Sequence, residues 1–253
     1  MISITPTRQR WRTALLLISF IAFPITMNYF SPYLIVASAF QGIVNGSLVV
    51  FVSLFVGSLL FGRLWCGWGC PAGGLQEPLL TVNNRRIGRR TDFVKWIIWV
   101  PWVSLIVMAA VRAGGYRILD LLYGTVNGIS VAGSADRPII AAYVVYFAVV
   151  ALFFGLPLAF GRRASCHAVC WMAPFMITGR ALRNTIAWPS LRLQADTAAC
   201  IKCGHCAAEC PMSLDVDAMV GTGHMEHAEC ILCGKCVDGC PKKAIRYTFS
   251  AGK

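Results

Sequence analysis

Cys200-Ile-Lys-Cys203-Gly-His-Cys206-Ala-Ala-Glu-Cys210-Pro211 and Cys230-Ile-Leu-Cys233-Gly-Lys-Cys236-Val-Asp-Gly-Cys240-Pro241 are two copies of one pattern, CxxCxxCxxxCP. Three cysteines at this spacing wrap one corner of a [4Fe-4S] cubane. The fourth, set before a proline that turns the chain away, ligates the other cluster in a two-cluster ferredoxin fold. The pattern therefore assigns Cys200, Cys203, Cys206 and Cys240 to one cluster, and Cys230, Cys233, Cys236 and Cys210 to the second. Gly204 and Gly234 follow the second cysteine of each copy, where a tight turn lets amides approach the sulfides. Zinc sites ordinarily use two separated CxxC pairs, so two complete copies point to iron. His205, within the first copy, and His224 and His227, between the copies, have no spacing that compels a metal.

Outward from this segment the chain changes character. The 253 residues are 57% apolar and 13% charged, far from an ordinary globular composition. Apolar runs at about 13–32, 40–62, 94–111 and 139–161 each approach the ~20 residues a helix needs to cross a bilayer. The expected fold is thus an α-helical integral membrane protein with four transmembrane helices, residues 1–194, followed by a two-cluster ferredoxin domain, residues 195–253. Pro24 falls inside the first run and is expected to bend it. Ala37-Ser38-Ala39 resembles a signal cleavage site, but the apolar stretch before it is too long for a usual signal.

The net charge of +12 is unevenly placed. Residues 1–194 carry 17 Lys+Arg against 4 Asp+Glu, and residues 195–253 carry 6 against 7. No basic helix or aromatic platform suggests nucleic acid. Arg8, Arg10, Arg12, Arg63, Arg85, Arg86, Arg89, Arg90, Lys95, Arg162, Arg163, Arg180, Arg183 and Arg192 fall on one side of the four runs. Only Arg112, Arg117 and Arg137 fall on the other. The positive-inside rule then puts both termini in the cytoplasm, with the chain in the inner (cytoplasmic) membrane.

Four further cysteines form two pairs. Phe61-Gly62-Arg63 leads into Cys66-Gly-Trp-Gly-Cys70-Pro71, and Phe160-Gly161-Arg162 leads into Cys166-His-Ala-Val-Cys170, so the membrane part reads as two repeats of two spans and a cysteine pair. Residues four apart share a helix face, and two such pairs could supply a four-thiolate site at the cytoplasmic edge. Three readings stay open: a third iron–sulfur or other metal centre, a dithiol/disulfide redox relay favoured by nearby arginines, and structural thiols. A disulfide framework fits poorly, and metal ligation in a reducing compartment fits better.

Four spans, paired CxxxC motifs and a C-terminal two-cluster domain resemble the NapH/MauN group of ferredoxin-type membrane proteins, which share modules with NosR-type regulators. The second pair departs from that group's CxxxCP, because Trp171 follows Cys170. The resemblance implies quinol oxidation coupled to a partner reductase, as a quinol dehydrogenase membrane component. Electron exchange between the quinone pool and a partner oxidoreductase is the leading reading. An electron-donating maturation or regulatory factor for a metalloenzyme is the alternative, and a cluster-bearing sensor is a third. No haem is expected, since only His167 lies near a span. Tyr116, Arg117, Asp120 and Tyr123, in the long outer connection, are candidates to border a quinone head group.

Overall fold

A computed structural model describes residues 7–132 and 138–251; Arg137 lies outside them. Helix α1, Thr7–Ile21, stops at Ala22, and α2, Phe23–Thr26, carries Pro24 in its first turn. Proline lacks an amide to donate and fixes φ, and the chain from α2 into the 3₁₀ turn Met27–Phe30 is bent 57° from α1. Ser31 caps α3, Pro32–Ala39, by accepting from Leu34 N at 3.3 Å. Strand β1, Ile43–Asn45, then leads into α4, Gly46–Phe61, capped by Asn45 Oδ1 accepting from Leu48 N at 2.9 Å.

The run 40–62, expected as one span, is thus a turn, a strand and a 16-residue helix about 24 Å long. The cap at Asn45 and the pairing of β1 in parallel with β2, Ile118–Asp120, hold residues 43–45 out of the helix. Helices α7, Val94–Arg112, and α8, Ile139–Phe160, coincide with the third and fourth runs to within a residue. Among the described residues, two helices are long and apolar enough to cross a membrane, the bent pair makes a third if taken as one span, and α4 is a shorter apolar helix. Val107, Val111, Ile140 and Phe147 stand exposed on α7 and α8. A continuous apolar surface of this kind is not stable against water.

Each half then turns back on itself. Helix α5, Leu64–Trp68, is followed by α6, Pro71–Gln76; α9, Ala164–Ala168, is followed by α10, Ala173–Thr185. The returning helices pack differently: α6 lies chiefly along α1 of its own half and also touches α8, whereas α10 lies along α4 of the other half. Phe175, early in α10, meets the ring of Phe51 at 5.3 Å, while Arg183 near its end lies against Gly62, just beyond α4. Phe51 is ten residues before the end of α4, so α10 begins about 15 Å inside the bundle. On the other side Ser19 donates to Gly69 O at 2.6 Å and Arg12 pairs with Glu77, so α6 also starts deep and climbs outward.

The C-terminal unit is a β-ribbon with three short helices. Strand β3, Ser190–Ala195, pairs antiparallel with β4, Ile245–Ser250, placing Ser190 opposite Ser250 and Ala195 opposite Ile245. Between them lie α11, His205–Ala208, α12, Val216–Thr222, and α13, Lys235–Asp238. The boundary expected at residue 195 therefore moves back to the start of β3, because that strand has its ladder partner in β4.

Met212, Val220, Ile231 and Ile245 of this unit share one buried cluster with Met172, Met176 and Ile177 of the helical part. An ionic seam surrounds it. Glu229 Oε2 accepts from Arg63 Nη1 at 2.5 Å and its Oε1 from Lys95 Nζ at 2.6 Å. Glu226 takes Arg180, Arg183 and Arg192. Asp238 takes Arg8, and Asp215 takes Arg86. Glu77 of the helical part receives Arg12, Arg163 and, from the ferredoxin unit, Lys235 at 3.1 Å. Many of the arginines that read as orienting charges are docking charges.

Burial opposes ionisation of Glu229, but Arg63 and Lys95 outweigh it and hold its pKa down at about 2. Stability from this group is fully present above the ordinary carboxylate value and is lost as pH falls from there through about 2. Replacing Glu229 by Ala strands two buried cations, so a loss of about 3–5 kcal/mol is expected in denaturant unfolding of the detergent-purified holoprotein. A loss below about 1 kcal/mol would mean that the seam behaves like a surface ion pair.

Candidate metal centres

The ferredoxin unit gathers its eight cysteines round two cavities. Cys200, Cys203, Cys206 and Cys240 line one, and Cys210, Cys230, Cys233 and Cys236 line the other. The fourth cysteine of each copy thus lies with the first three of the opposite copy. Both copies use the same backbone: Lys202 and Leu232, Gly204 and Gly234, and Ser213 and Lys243 all have positive φ. Gly204 (φ 70°) and Gly234 (φ 78°) occupy a region that glycine enters without steric penalty. These turns aim amides at sulfur, with Lys202 N donating to Cys200 Sγ at 3.4 Å and Ala244 N to Cys240 Sγ at 3.3 Å.

Four soft thiols per cavity with amide donors fit an iron–sulfur cluster. A single zinc would draw its four sulfurs to about 3.8 Å from one another, given a Zn–S bond near 2.3 Å. Among the described residues, the one group of three or more donors converging within 4.8 Å is Asp92, His167 and Glu229, with no cysteine in it. In that group Lys95 Nζ stands 2.6 Å from Glu229 and 3.7 Å from Asp92, so an ammonium already supplies the positive charge.

The two membrane-part pairs meet in the bundle interior. Cys66 sits in α5, and Cys70 is the N-cap of α6; Cys166 sits in α9, and Cys170 comes just before α10. Neither pair shares one helix face, contrary to the i, i+4 expectation, because Pro71 and the turn at Val169–Met172 start new helices. The turns carrying Cys70 and Cys170 stand at the deep ends of α6 and α10, while Gly67, next to Cys66, meets the ferredoxin unit. All four are buried and belong to one core.

The nearby arginines line the site. Arg63 and Arg163 are the N-caps of α5 and α9, three residues before Cys66 and Cys166, and each keeps a buried Nε with no partner. Sequence spacing pairs Arg63 with Arg162, but Arg163 at φ 45° absorbs the extra residue and takes the equivalent place.

Residues the sequence did not single out complete the surroundings. Gln76 Nε2 donates to Cys166 Sγ at 3.4 Å, Met176 Sδ lies 4.0 Å from Cys66 Sγ, and the amides of Gly73 and Ala173 bond to the sulfurs of Cys70 and Cys170. Buried cations and N–H donors aimed at four thiols suit an anionic thiolate-ligated centre. Their spacing from Cys66 and Cys166 by three residues, repeated in both halves, is the signal that would have found the two arginines.

The first of these turns is seated on the ferredoxin unit. A Cβ on Gly67 would lie 2.3 Å from Ile231 O and 3.4 Å from Cys233 N and Cα, so only glycine permits this approach. Trp68 Nε1 donates to Leu232 O at 3.1 Å, and Arg12 Nη1 holds Gly67 O at 3.3 Å. Cys233 and Cys236 are buried on that side, whereas Cys203 in the other cavity is exposed. Thiol sites therefore run in order from the bundle interior to the protein surface. His167 is buried with Nδ1 2.5 Å from Asp92; His205 and His224 are exposed, and His227 Nδ1 accepts from Glu229 N. Tyr116, Arg117 and Asp120 are exposed, and Tyr123 bonds Gln41 at 2.8 Å.

Comparison with known proteins adds two family matches: a family described as a 4Fe-4S dicluster domain over residues 199–245, and one described as a 4Fe-4S binding domain over residues 46–90, which include Cys66 and Cys70. YccM of Escherichia coli K12, a protein named for electron transport, is 25% identical over 74% of this chain and 52% of its own length. The methylamine utilization ferredoxin-type protein MauN of Paracoccus denitrificans is 28% identical over 76% of this chain and 65% of its own. The protein MJ0750 of Methanocaldococcus jannaschii is 23% identical over 84% and 83%. The chain thus spans about half of YccM and just under two thirds of MauN. No solved structure matches it.

Two outcomes test this geometry. Cys240→Ala should abolish the EPR signal of the cluster on Cys200, Cys203 and Cys206 while sparing the other, and loss of the signal assigned to the Cys230 loop instead would reverse the assignment. Gly67→Val should leave the iron content of the C-terminal unit unchanged yet loosen its seat, read as faster amide exchange across residues 230–236. Unchanged exchange would show that the close approach is not needed.

Proposed function

We propose, on the premise that this chain is a ferredoxin-type iron–sulfur protein of the NapH/MauN kind, that it spans the inner membrane with both termini cytoplasmic. There it exchanges electrons between the quinone pool and a partner oxidoreductase. The path starts at a third centre on Cys66, Cys70, Cys166 and Cys170, continues to the cluster on Cys230, Cys233, Cys236 and Cys210, and ends at the cluster on Cys200, Cys203, Cys206 and Cys240. The observation that carries this reading is the seat of the Cys66–Cys70 turn on the Ile231–Cys233 loop, with Gly67 at the contact. When bound, iron–sulfur clusters supply one-electron transfer at potentials set by hydrogen bonds to sulfur, charge and burial.

The chain's own groups have assignable tasks. Arg63, Arg163, Gln76 and the amides of Gly73 and Ala173 stabilise negative charge on the four interior sulfurs and so favour a reduced centre. Met176 and the surrounding core keep water away from it. Glu77, paired with Arg12, Arg163 and Lys235, ties the interior turn and the Cys233–Cys236 loop into one frame. Exposed Cys203 and Ile201 mark the face where a soluble redox partner would dock. Long apolar α7 and α8 support the membrane setting.

The test is an EPR redox titration with iron counting on anaerobically purified protein, wild type against a variant with Cys66, Cys70, Cys166 and Cys170 changed to alanine. The two ferredoxin clusters account for about eight irons. More than that in wild type, falling to about eight in the variant, with reduction by a quinol, is the expected result. About eight in both, with no reduction by quinol, would favour instead a cytoplasmically fed electron donor to metalloenzyme maturation.

A further inference from the structure

A cavity of about 300 Å³ lies inside the helical part, bounded by α1 and α2, the 3₁₀ turn after them, the start of α6, the middle of α8, and Trp171 with Met172. Pro71 and Trp171 immediately follow Cys70 and Cys170, so the cavity shares a wall with both second cysteines of the interior thiol site. Its lining is apolar, with Phe20, Phe23 and Phe153 presenting rings, and Asn28 and Ser31 supply polar atoms where the first span breaks. Trp171 is held in place by donating to Phe30 O at 2.9 Å and by packing edge-on to Phe153 at 5.4 Å.

The other half of the repeat does not keep this space. Superposing Cys70 on Cys170 and Gly62 on Gly161 in sequence sets Leu75 opposite Phe175 and Val150 opposite Phe51. There Phe51 and Phe175 pack edge-on with each other and Trp102, and Phe175 with Trp99, at 5.3–5.8 Å. Rings of the protein fill one site, and the other stays open.

We propose that the open cavity seats the ring of a lipid-soluble quinone; this rests on the quinone-linked function above and locates its entry point. A volume near 300 Å³ is at the lower end for small-molecule sites. A lipid chain would use the apolar walls alone. A planar ring with oxygens on its edge also uses the aromatic faces, the polar end and the place beside the thiols. The outer residues Tyr116, Arg117 and Asp120 are not needed for it.

The experiment uses full-length holoprotein in lipid nanodiscs, with decylubiquinol and menadiol as the two donors and stopped-flow absorbance of the clusters as the readout. Ala72→Trp and Val149→Trp fill the cavity, and Val107→Trp on the exposed face of α7 serves as control. Both filling variants should need at least about tenfold more quinol for half-maximal reduction, with iron content and dithionite-reduced spectra unchanged. The control should behave as wild type.

Filling variants that match wild type would overturn the site while leaving the quinone-linked function standing. No reduction of wild type by either quinol would overturn both. Should the filling variants fail to assemble, photolabelling of wild type with an azidoquinone decides: adducts within residues 71–75 or 145–153 support the site, and adducts only elsewhere reject it.

Discussion

Charge neutralisation inside an apolar protein is the constraint on which the rest of this structure depends. Arg12, Arg63, Lys95, Arg163 and Arg183 are almost wholly buried, and none of them can stay so without a partner, because an unpaired buried ion costs several kcal/mol. Their partners are few. Glu77 holds Arg12 and Arg163, Glu229 holds Arg63 and Lys95, and Glu226 holds Arg183 with two more. Two of these three acids belong to the ferredoxin unit, so the helical part completes its electrostatics only when that unit is docked. The same cations then fix the thiol turns, Arg163 through Cys66 O at 2.9 Å and Arg12 through Gly67 O at 3.3 Å.

This arrangement couples the two iron–sulfur regions mechanically. The ferredoxin unit is not tethered by a linker to an independent anchor; it shares a hydrophobic cluster, an ionic seam and a backbone contact at Gly67 with the bundle. Rigid seating of this kind suits transfer between fixed centres, since the distance between them is set by packing. Exposure grades along the same line, from buried interior thiols to the exposed Cys203.

The repeat supplies economy and its breaking supplies function. Both halves use a span, a short helix, a cysteine turn and a returning helix, and α10 packing on α4 with α6 reaching α8 brings the four thiols into one core. Substitutions between the halves are what differ: Phe175 and Phe51 close a space that Leu75 and Val150 leave open. An internal duplication can thus keep one structural plan while assigning the two sides different tasks.

Local spacing was enough to determine the chemistry of the C-terminal unit, since three cysteines within seven residues can reach one cluster with little help from the rest of the chain. Hydrophobic runs likewise marked α7 and α8 to within a residue, and Pro24 marked the bend. What spacing could not reveal was decided by tertiary structure. Asn45 and a strand partner 75 residues away shortened the second run, and β4 claimed residues 190–195. Pro71 and the Trp171 turn started new helices after Cys70 and Cys170, so neither pair shares one helix face. Arg163 replaced Arg162 at the thiol site because a left-handed residue absorbed the insertion. For the two strands the deciding energy is a long-range ladder, which has no periodic signature in the sequence. For the cysteine turns it is a local backbone break whose consequence depends on what the following helix packs against.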